Sequence, residues 1–539
     1  MADSPETGRP STGSFSLRSV AGVTALSFAQ LVLLFGLQLV LAHAFGASQE
    51  LDAYLAAYAI PLTIGGILSG AATNVLVPLY HRRKSESGSV AAEGEVACLL
   101  LSLAVVSTIL AAGIAIGAEE ICRLLYAELV EVGIGSAGVG AGELQSGASV
   151  VRLLAILVWL IPLSVLTGAY YGIEHARENF LYPAAWGVVG PVATILGFLY
   201  LSDRSIEALA WATLAGGAIG LAGLALKTPA PRGMTLTSSW AALVPFLAMG
   251  TPLLLGHAVS RLDLVVDRPL ASALPEGSIS HLGYAWRIIL AAATIATTGL
   301  SVVIFPALAR HAAAREMDKM GRDLAEGWRL LCVVLIPIVL GIGVCGEPIL
   351  AACFERGEFT PHDTERVATL LNLYLGALVA AVCGELGAKT FLAFGRTWLP
   401  TLIGVTGFAV GVGLKFALVD RFGANGIAAA TSTYMLLNVI ALLIAVASLR
   451  LPGSAKGLAA TVVRSGLAAA LSVGAAYVVM QQGSAASVAA GLIVAVGAYV
   501  AILYGSGDEF VRRGITAAAA LTRRSSRKPR RAGDDAEGS

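Results

Sequence analysis

Arg261, Asp263, Asp267 and Arg268 crowd into eight residues, between runs 240–259 and 288–308 that hold no Asp, Glu, Lys or Arg. A guanidinium in such surroundings suits one chemistry well: its planar fork gives two charge-assisted hydrogen bonds to a phosphate. At about 100° per residue, His257, Arg261 and Arg268 fall within about 40° of one another. Asp263 and Asp267 share another face, roughly 100–140° from the basic one. A helix through these residues carries a basic stripe about 16 Å long with an acidic stripe beside it. Arg287, in the segment GYAWRIIL, enters from the next helix. Two readings fit. In one, a hydrated cavity binds an anionic headgroup through Arg261, Arg268 and Arg287, with His257 assisting and Asp263 and Asp267 tuning or releasing it. In the other, Arg268 and Asp267 lie at an interface and Asp263 neutralises a basic residue on a neighbouring helix.

Other charges in apolar surroundings are few. His43 and Asp52 stand around the turn between the first two apolar runs, Arg329 near the start of the ninth, and Glu385 and Lys389 in the tenth. Placing one such charge near a helix centre costs about 2.5–3.5 kcal/mol on insertion scales, so each needs a partner or a cavity. Glu385 and Lys389, spaced i, i+4, fit a private pair along one helix face. Lys415 and Arg464, near span ends, are expected to snorkel. Asp52, Asp263, Asp267 and Glu385 are the carboxylates available for coupling or tuning.

Several motifs are empty of chemistry. GIGSAG (133–138) and GIGVCG (341–346) match G-x-G-x-x-G, but neither follows a strand and opens a helix. GELGAKT (384–390) lacks the adjacent Gly-Lys of a phosphate-binding loop. The 6 cysteines show no C-x-x-C spacing, and 7 histidines scattered over 539 residues form no ligand cluster. Neither H-E-x-x-H nor G-x-S-x-G occurs. The sequence therefore predicts no enzyme, no metal and no cofactor. Work would come from the membrane potential, a monovalent cation gradient or mass action.

The elements that must hold these charges are membrane helices. Hydrophobic residues make up 56% of the chain and charged ones 13%, with mean hydropathy +0.78, against about 25% charged in soluble domains. Apolar runs long enough to span a bilayer recur at 19–45, 51–80, 90–117, 149–173, 181–201, 205–226, 240–273, 281–309, 325–346, 366–392, 398–419, 424–449, 458–480 and 484–506. These runs are continuous rather than alternating, which excludes transmembrane strands. The fold class is all-α and polytopic, with about 14 transmembrane helices.

With residue 1 placed inside, basic loops such as Arg82–Arg83–Lys84, Arg310 to Arg322, and Arg450 with Lys456 fall on the cytoplasmic side. The opposite loop at 118–148 sets Glu119, Glu120, Glu128, Glu131 and Glu143 against Arg123. Both termini are expected in the cytoplasm, with no removable signal peptide. VLVPLYHR (75–82) is echoed by VIFPALAR (303–310) six spans later, the pattern of two parallel six-helix lobes. Residues 1–18 then form a cytoplasmic segment, 19–226 the N-lobe, 227–239 a linker, 240–449 the C-lobe, 458–506 two further helices and 507–539 a basic tail. Such a tail is solvated or touches anionic lipid, at about 1 kcal/mol per charge; no folded basic surface suggests nucleic acid.

FGASQELDAYLAAYAIP (45–61), ASALPEGSISHLGYAWRI (271–288), GWRLLCVVLIP (327–337) and FERGEFTPHDTERVATLLNLYLGAL (354–378) resemble segments of the MurJ/MviN family of lipid II flippases, in the multidrug/oligosaccharidyl-lipid/polysaccharide exporter superfamily. The similarity runs through about residue 449. It implies 14 helices, two lobes around a central V-shaped cavity, and alternating access without ATP, with Arg287 at the position of a family arginine. It also implies arginines and an acidic residue in the first helix and an arginine pair in the second. Here those places hold Leu31, Leu37 and Gln38, then Gly65 and Gly66. Asp263, Arg268, Lys389 and Trp286 are further departures.

The sequence thus predicts a monomeric flippase in the bacterial cytoplasmic membrane. Its cargo is a polyprenyl-pyrophosphate-linked saccharide, of the lipid II type or a polysaccharide repeat unit, and its partners are that substrate and membrane lipids. A cation-coupled small-molecule exporter on the same architecture is the alternative; a membrane glycosyl ligase or a scaffold fits less well.

Overall fold

In hydrocarbon, a backbone must satisfy its polar groups within its own segment, which leaves helices as the spanning element for runs of this kind. The structure is a computed structural model. It describes residues 17–131, 144–201, 205–227, 240, 243–244, 246–251, 254, 261–299, 304–396, 398–453, 455–507, 512 and 516. Every regular element among the described residues is helical. Of the expected cytoplasmic segments, nearly all of 1–18, 227–239 and 507–539 lies outside the described residues, and so does His257.

Twelve helices among the described residues are long and apolar enough to cross a membrane. The chain is a multi-pass membrane protein. Element α2 (Gln49–Ile116) spans 68 residues as two helices that meet at Gly88, whose φ 85°, ψ 173° is not helical. The crossings expected at 51–80 and 90–117 lie on its two sides, and Ala72, Val75 and Leu79 share one apolar core with Val96, Leu99 and Ala111. The seventh expected crossing, 240–273, is described only in part. The total of 14 rests on those two segments and stays an expectation.

The chain divides into two compact units, Met1–Gly283 with Arg356–Thr360, and Tyr284–Glu355 with Pro361–Ser539. The first holds α1 (Leu17–Phe45), α2, α3 (Ala118–Leu125), α4 (Ala127–Glu131), α5 (Leu144–Leu157), α6 (Leu160–Ala176), α7 (Leu181–Tyr200), α8 (Ile206–Ala225) and α9 (Leu262–Ser272). Its core joins α2 to α6 through Val75, Leu76, Leu79, Ile161, Val165 and Ile173. Between lipid-immersed helices, close backbone approach replaces the hydrophobic drive of water. Here Gly168 and Gly172 supply it. A Cβ at Gly168 would fall 2.7 Å from Ser69 Cα, one at Gly172 2.9 Å from the Thr73 carbonyl oxygen, and Thr73 Oγ1 donates to the Gly168 carbonyl at 2.8 Å.

Helix α10 (Ser278–Gly299) begins at the end of the first unit and continues into the second. The second unit adds α11 (Phe305–Ala313), α12 (Met317–Phe354), α13 (Pro361–Ala393), α14 (Trp398–Phe422), α15 (Ala424–Ser448), α16 (Leu458–Met480) and α17 (Ala485–Gly505). Buried hydroxyls tie its helices together. Ser432 Oγ accepts from Ala377 N at 3.1 Å and donates to the Leu373 carbonyl, and Tyr499 donates to the Val333 carbonyl at 2.7 Å. The sequence echo diverges locally: Pro78 lies inside α2, whereas Pro306 opens α11.

One expectation is corrected here. Lys415 does not snorkel; it is 0% exposed, with Nζ 5.7 Å from the centre of the Tyr434 ring. The reason is Gly411, one turn before it, where a Cβ would fall 2.7 Å from Tyr434 Cγ. The missing side chain lets the ring close over α14, and its face then attracts the ammonium.

Candidate functional site

The start of α2 and the start of α10 cap each other. Helix N-termini carry unsatisfied N–H groups and a partial positive charge, so a carboxylate is favourable there. Ser48 caps α2 by accepting from Leu51 N at 3.4 Å, and Gln49 N donates across to Glu276 Oε1 at 2.9 Å. In return Asp52, 4% exposed, reaches the other helix. Its Oδ2 accepts from Gly277 N at 2.8 Å, and its Oδ1 accepts from Ser280 N at 2.7 Å and from Ser280 Oγ. Gly277 adopts φ 81°, and a Cβ there would meet the Ala47 carbonyl oxygen at 2.6 Å. Only glycine fits this turn.

Arg268 belongs to the same network. It is buried and donates from Nη1 to the Ile279 carbonyl at 2.7 Å, and its charge acts on Asp52. Seven residues earlier, Arg261 is exposed at the N-cap of α9. Its guanidinium lies against Gly66 of α2, and no acceptor among the described residues pairs with it. Asp263 and Asp267, half-buried on α9, are both engaged. The structure thus gathers Asp52 and Arg268 into one capped junction and leaves Arg261 outside it. His257 lies outside the described residues.

In the second unit, Arg287 stands midway along the apolar stretch Ser278–Thr297. It is half-buried, and no acceptor among the described residues pairs with it. Beside it, the Trp286 ring meets the Tyr374 ring edge-on with centroids 5.3 Å apart. Glu385 and Lys389 form a pair at 2.8 Å, with the Lys389 Nζ 5.9 Å from the centre of the Phe305 ring. Arg329 donates from Nε to Thr461 Oγ1 at 3.2 Å and so joins α12 to α16.

An apolar cavity of about 340 Å³ opens among α12, α16 and α17, lined by residues including Pro337, Ile342, Val473, Leu492 and Val496. Among the described residues no group of three His, Cys, Asp or Glu side chains could hold a metal.

Sequence reasoning missed Glu276, Gly277 and Ser280. The signal was available in PEGS, where Pro, Gly and Ser announce a turn into a helix, but its partner carboxylate lies 228 residues away.

A family model described as "Lipid II flippase MurJ" matches residues 41–497. A Vibrio cholerae protein named "Probable lipid II flippase MurJ" is 25% identical over 431 residues, covering 78% of this chain and 81% of its own. The "Lipid II flippase MurJ" of Burkholderia cenocepacia is 24% identical over 440 residues, covering 79% and 82%. The solved structure "Lipid II flippase MurJ, inward closed conformation" gives a TM-score of 0.74 at 20% identity, covering 93% of this chain and 100% of that one. An inward-facing multidrug resistance MATE family transporter of the MOP superfamily gives 0.62 at 15%, covering 79% and 95%. At such identities the structural likeness speaks for the fold.

Proposed function

The chain belongs to the lipid II flippase MurJ family, and on that premise we propose that it carries a polyprenyl-pyrophosphate-linked saccharide of the lipid II type between bilayer leaflets. The observation that carries this reading is that Arg261 in the first unit and Arg287 in the second each lack an acceptor among the described residues. A guanidinium embedded in apolar surroundings needs a counter-charge or water, and a pyrophosphate supplies the geometry its fork prefers. No covalent bond is made or broken in this scheme. Each arginine binds and orients, and the protein acts as a transporter rather than an enzyme.

Arg268 has a different part in this proposal. By holding the Ile279 carbonyl it fixes the first turn of α10, the helix that carries Arg287 eight residues further on. Asp263 and Asp267 moderate the positive charge near Arg261, and Glu385 keeps Lys389 neutralised. His257 keeps its expected role of assisting headgroup binding. The apolar cavity among α12, α16 and α17 suits part of a polyprenyl tail. The setting is the bacterial cytoplasmic membrane with both termini inside, the protein a monomer, and the drive the membrane potential or a monovalent cation gradient, without a cofactor.

Arg287→Ala, reconstituted in vesicles, should slow flipping of a lipid II-type substrate by about tenfold or more, the scale of a lost hydrogen bond to a charged group. Undiminished flipping by a folded variant overturns the assignment. Mass spectrometry of the co-purifying lipid then names the cargo, and a polysaccharide repeat unit there replaces lipid II in the proposal.

A further inference from the structure

Two adjacent glycines, Gly65 and Gly66, sit well inside α2, although glycine is among the weakest helix formers. Neither has a left-handed backbone, so conformation does not require them. Space does. A Cβ at Gly65 would stand 3.0 Å from Ser164 Cβ, so this glycine admits α6. Gly66, about 100° further round the helix, faces something else. Its Cβ would fall 2.5 Å from Arg261 Nη1, 2.6 Å from Cζ and 3.1 Å from Nε. All three of its nearest neighbours are guanidinium atoms of one side chain.

We infer that Gly66 is a positioning residue, the seat on which the Arg261 guanidinium rests so that its donors meet the headgroup. A guanidinium is weakly hydrated as a whole and directs its five N–H donors within its plane. Contact with the bare backbone at Gly66 gives the group a dry support without supplying an acceptor. The exposed donors stay open, consistent with the absence of any protein acceptor for Arg261 among the described residues. The contact also has a telling asymmetry. At Gly65 the obstacle is a short side chain fixed on a packed helix, whereas at Gly66 it is the far end of a long flexible one. A methyl group at 66 therefore displaces the cation and leaves the helices in place.

Resting on the reading of Arg261 as a headgroup cation, the inference is tested by a double-mutant cycle in reconstituted vesicles. Gly66→Ala should lower flipping by about tenfold, the scale of a displaced charge-assisted hydrogen bond, with the thermal midpoint of the purified protein unchanged. In an Arg261→Ala background, the same substitution should have no further effect. Gly66→Arg combined with Arg261→Ala, which returns a guanidinium to this place from the other helix, should recover part of the activity. If Arg261→Ala slows flipping but Gly66→Ala does not, or the two losses multiply, Gly66 has no positioning role and the reading of Arg261 survives. If Arg261→Ala flips normally, that reading falls and this inference with it. Should Gly66→Ala fail to accumulate, recovery of the protein on adding Arg261→Ala supports the contact, and continued failure overturns it.

Discussion

Arg261 stands at the N-cap of one short helix and Arg268 about two turns along it, by residue count on nearly one face, yet the molecule treats them as opposites. Arg268 is 8% exposed and donates to a backbone carbonyl beside a buried carboxylate. Arg261 is exposed, leans on a glycine, and meets no acceptor among the described residues. The difference lies in what the neighbouring elements bring. The first turn of α10 offers Arg268 an oxygen, and α2 offers Arg261 only a gap. One guanidinium is part of the frame, and the other is the one to which the proposed function gives a ligand.

Removing the carboxylate on the frame side should have the largest effect on stability. Asp52→Ala leaves Gly277 N, Ser280 N and the charge of Arg268 without their shared partner, and about 3–5 kcal/mol of stability should be lost. Denaturant titration of the purified protein in detergent measures it, and a native midpoint would remove Asp52 from the frame. Next comes the contrast itself. Arg268→Ala should cost about 2–3 kcal/mol, since a buried carbonyl loses a charged donor and the Asp52 carboxylate a nearby positive charge. Arg261→Ala should change stability by no more than about 0.5 kcal/mol while impairing transport. Equal stability losses in the two variants would erase the distinction. The smallest effect belongs to Glu385→Gln, which breaks an i, i+4 pair with one half-exposed partner. Less than about 1 kcal/mol is expected, read from the same titration.

Much of the fold was legible because bilayer thickness dictates the length of apolar runs. The expected spans at 398–419, 424–449 and 484–506 correspond to α14, α15 and α17 within a few residues. The run at 149–173 divides into α5 and α6 around Trp159, an irregularity with no signal in hydropathy. The break within α2 was legible, because Gly88 falls in the polar stretch RRKSESGSVAAEGE between the two expected crossings.

At the candidate site, the charges were legible and their partners were not. Periodicity puts Arg261 and Arg268 on one stripe, yet the acceptor that separates them belongs to a carbonyl 11 residues beyond Arg268. Gly66 carried no chemistry in the sequence and shows its meaning only against another helix. Lys415 failed for the same reason, since nothing near it in sequence announces the ring of Tyr434.

That buried lysine imposes an order of events on the growing chain. Tyr434 lies 19 residues after Lys415, on the far side of a turn in which Gly423, at φ 57°, alone separates α14 from α15. While α14 emerges, the ring that will cover its ammonium has not yet been made. The hairpin, not the helix, is thus the smallest piece of this region in which the aromatic cover for the lysine exists.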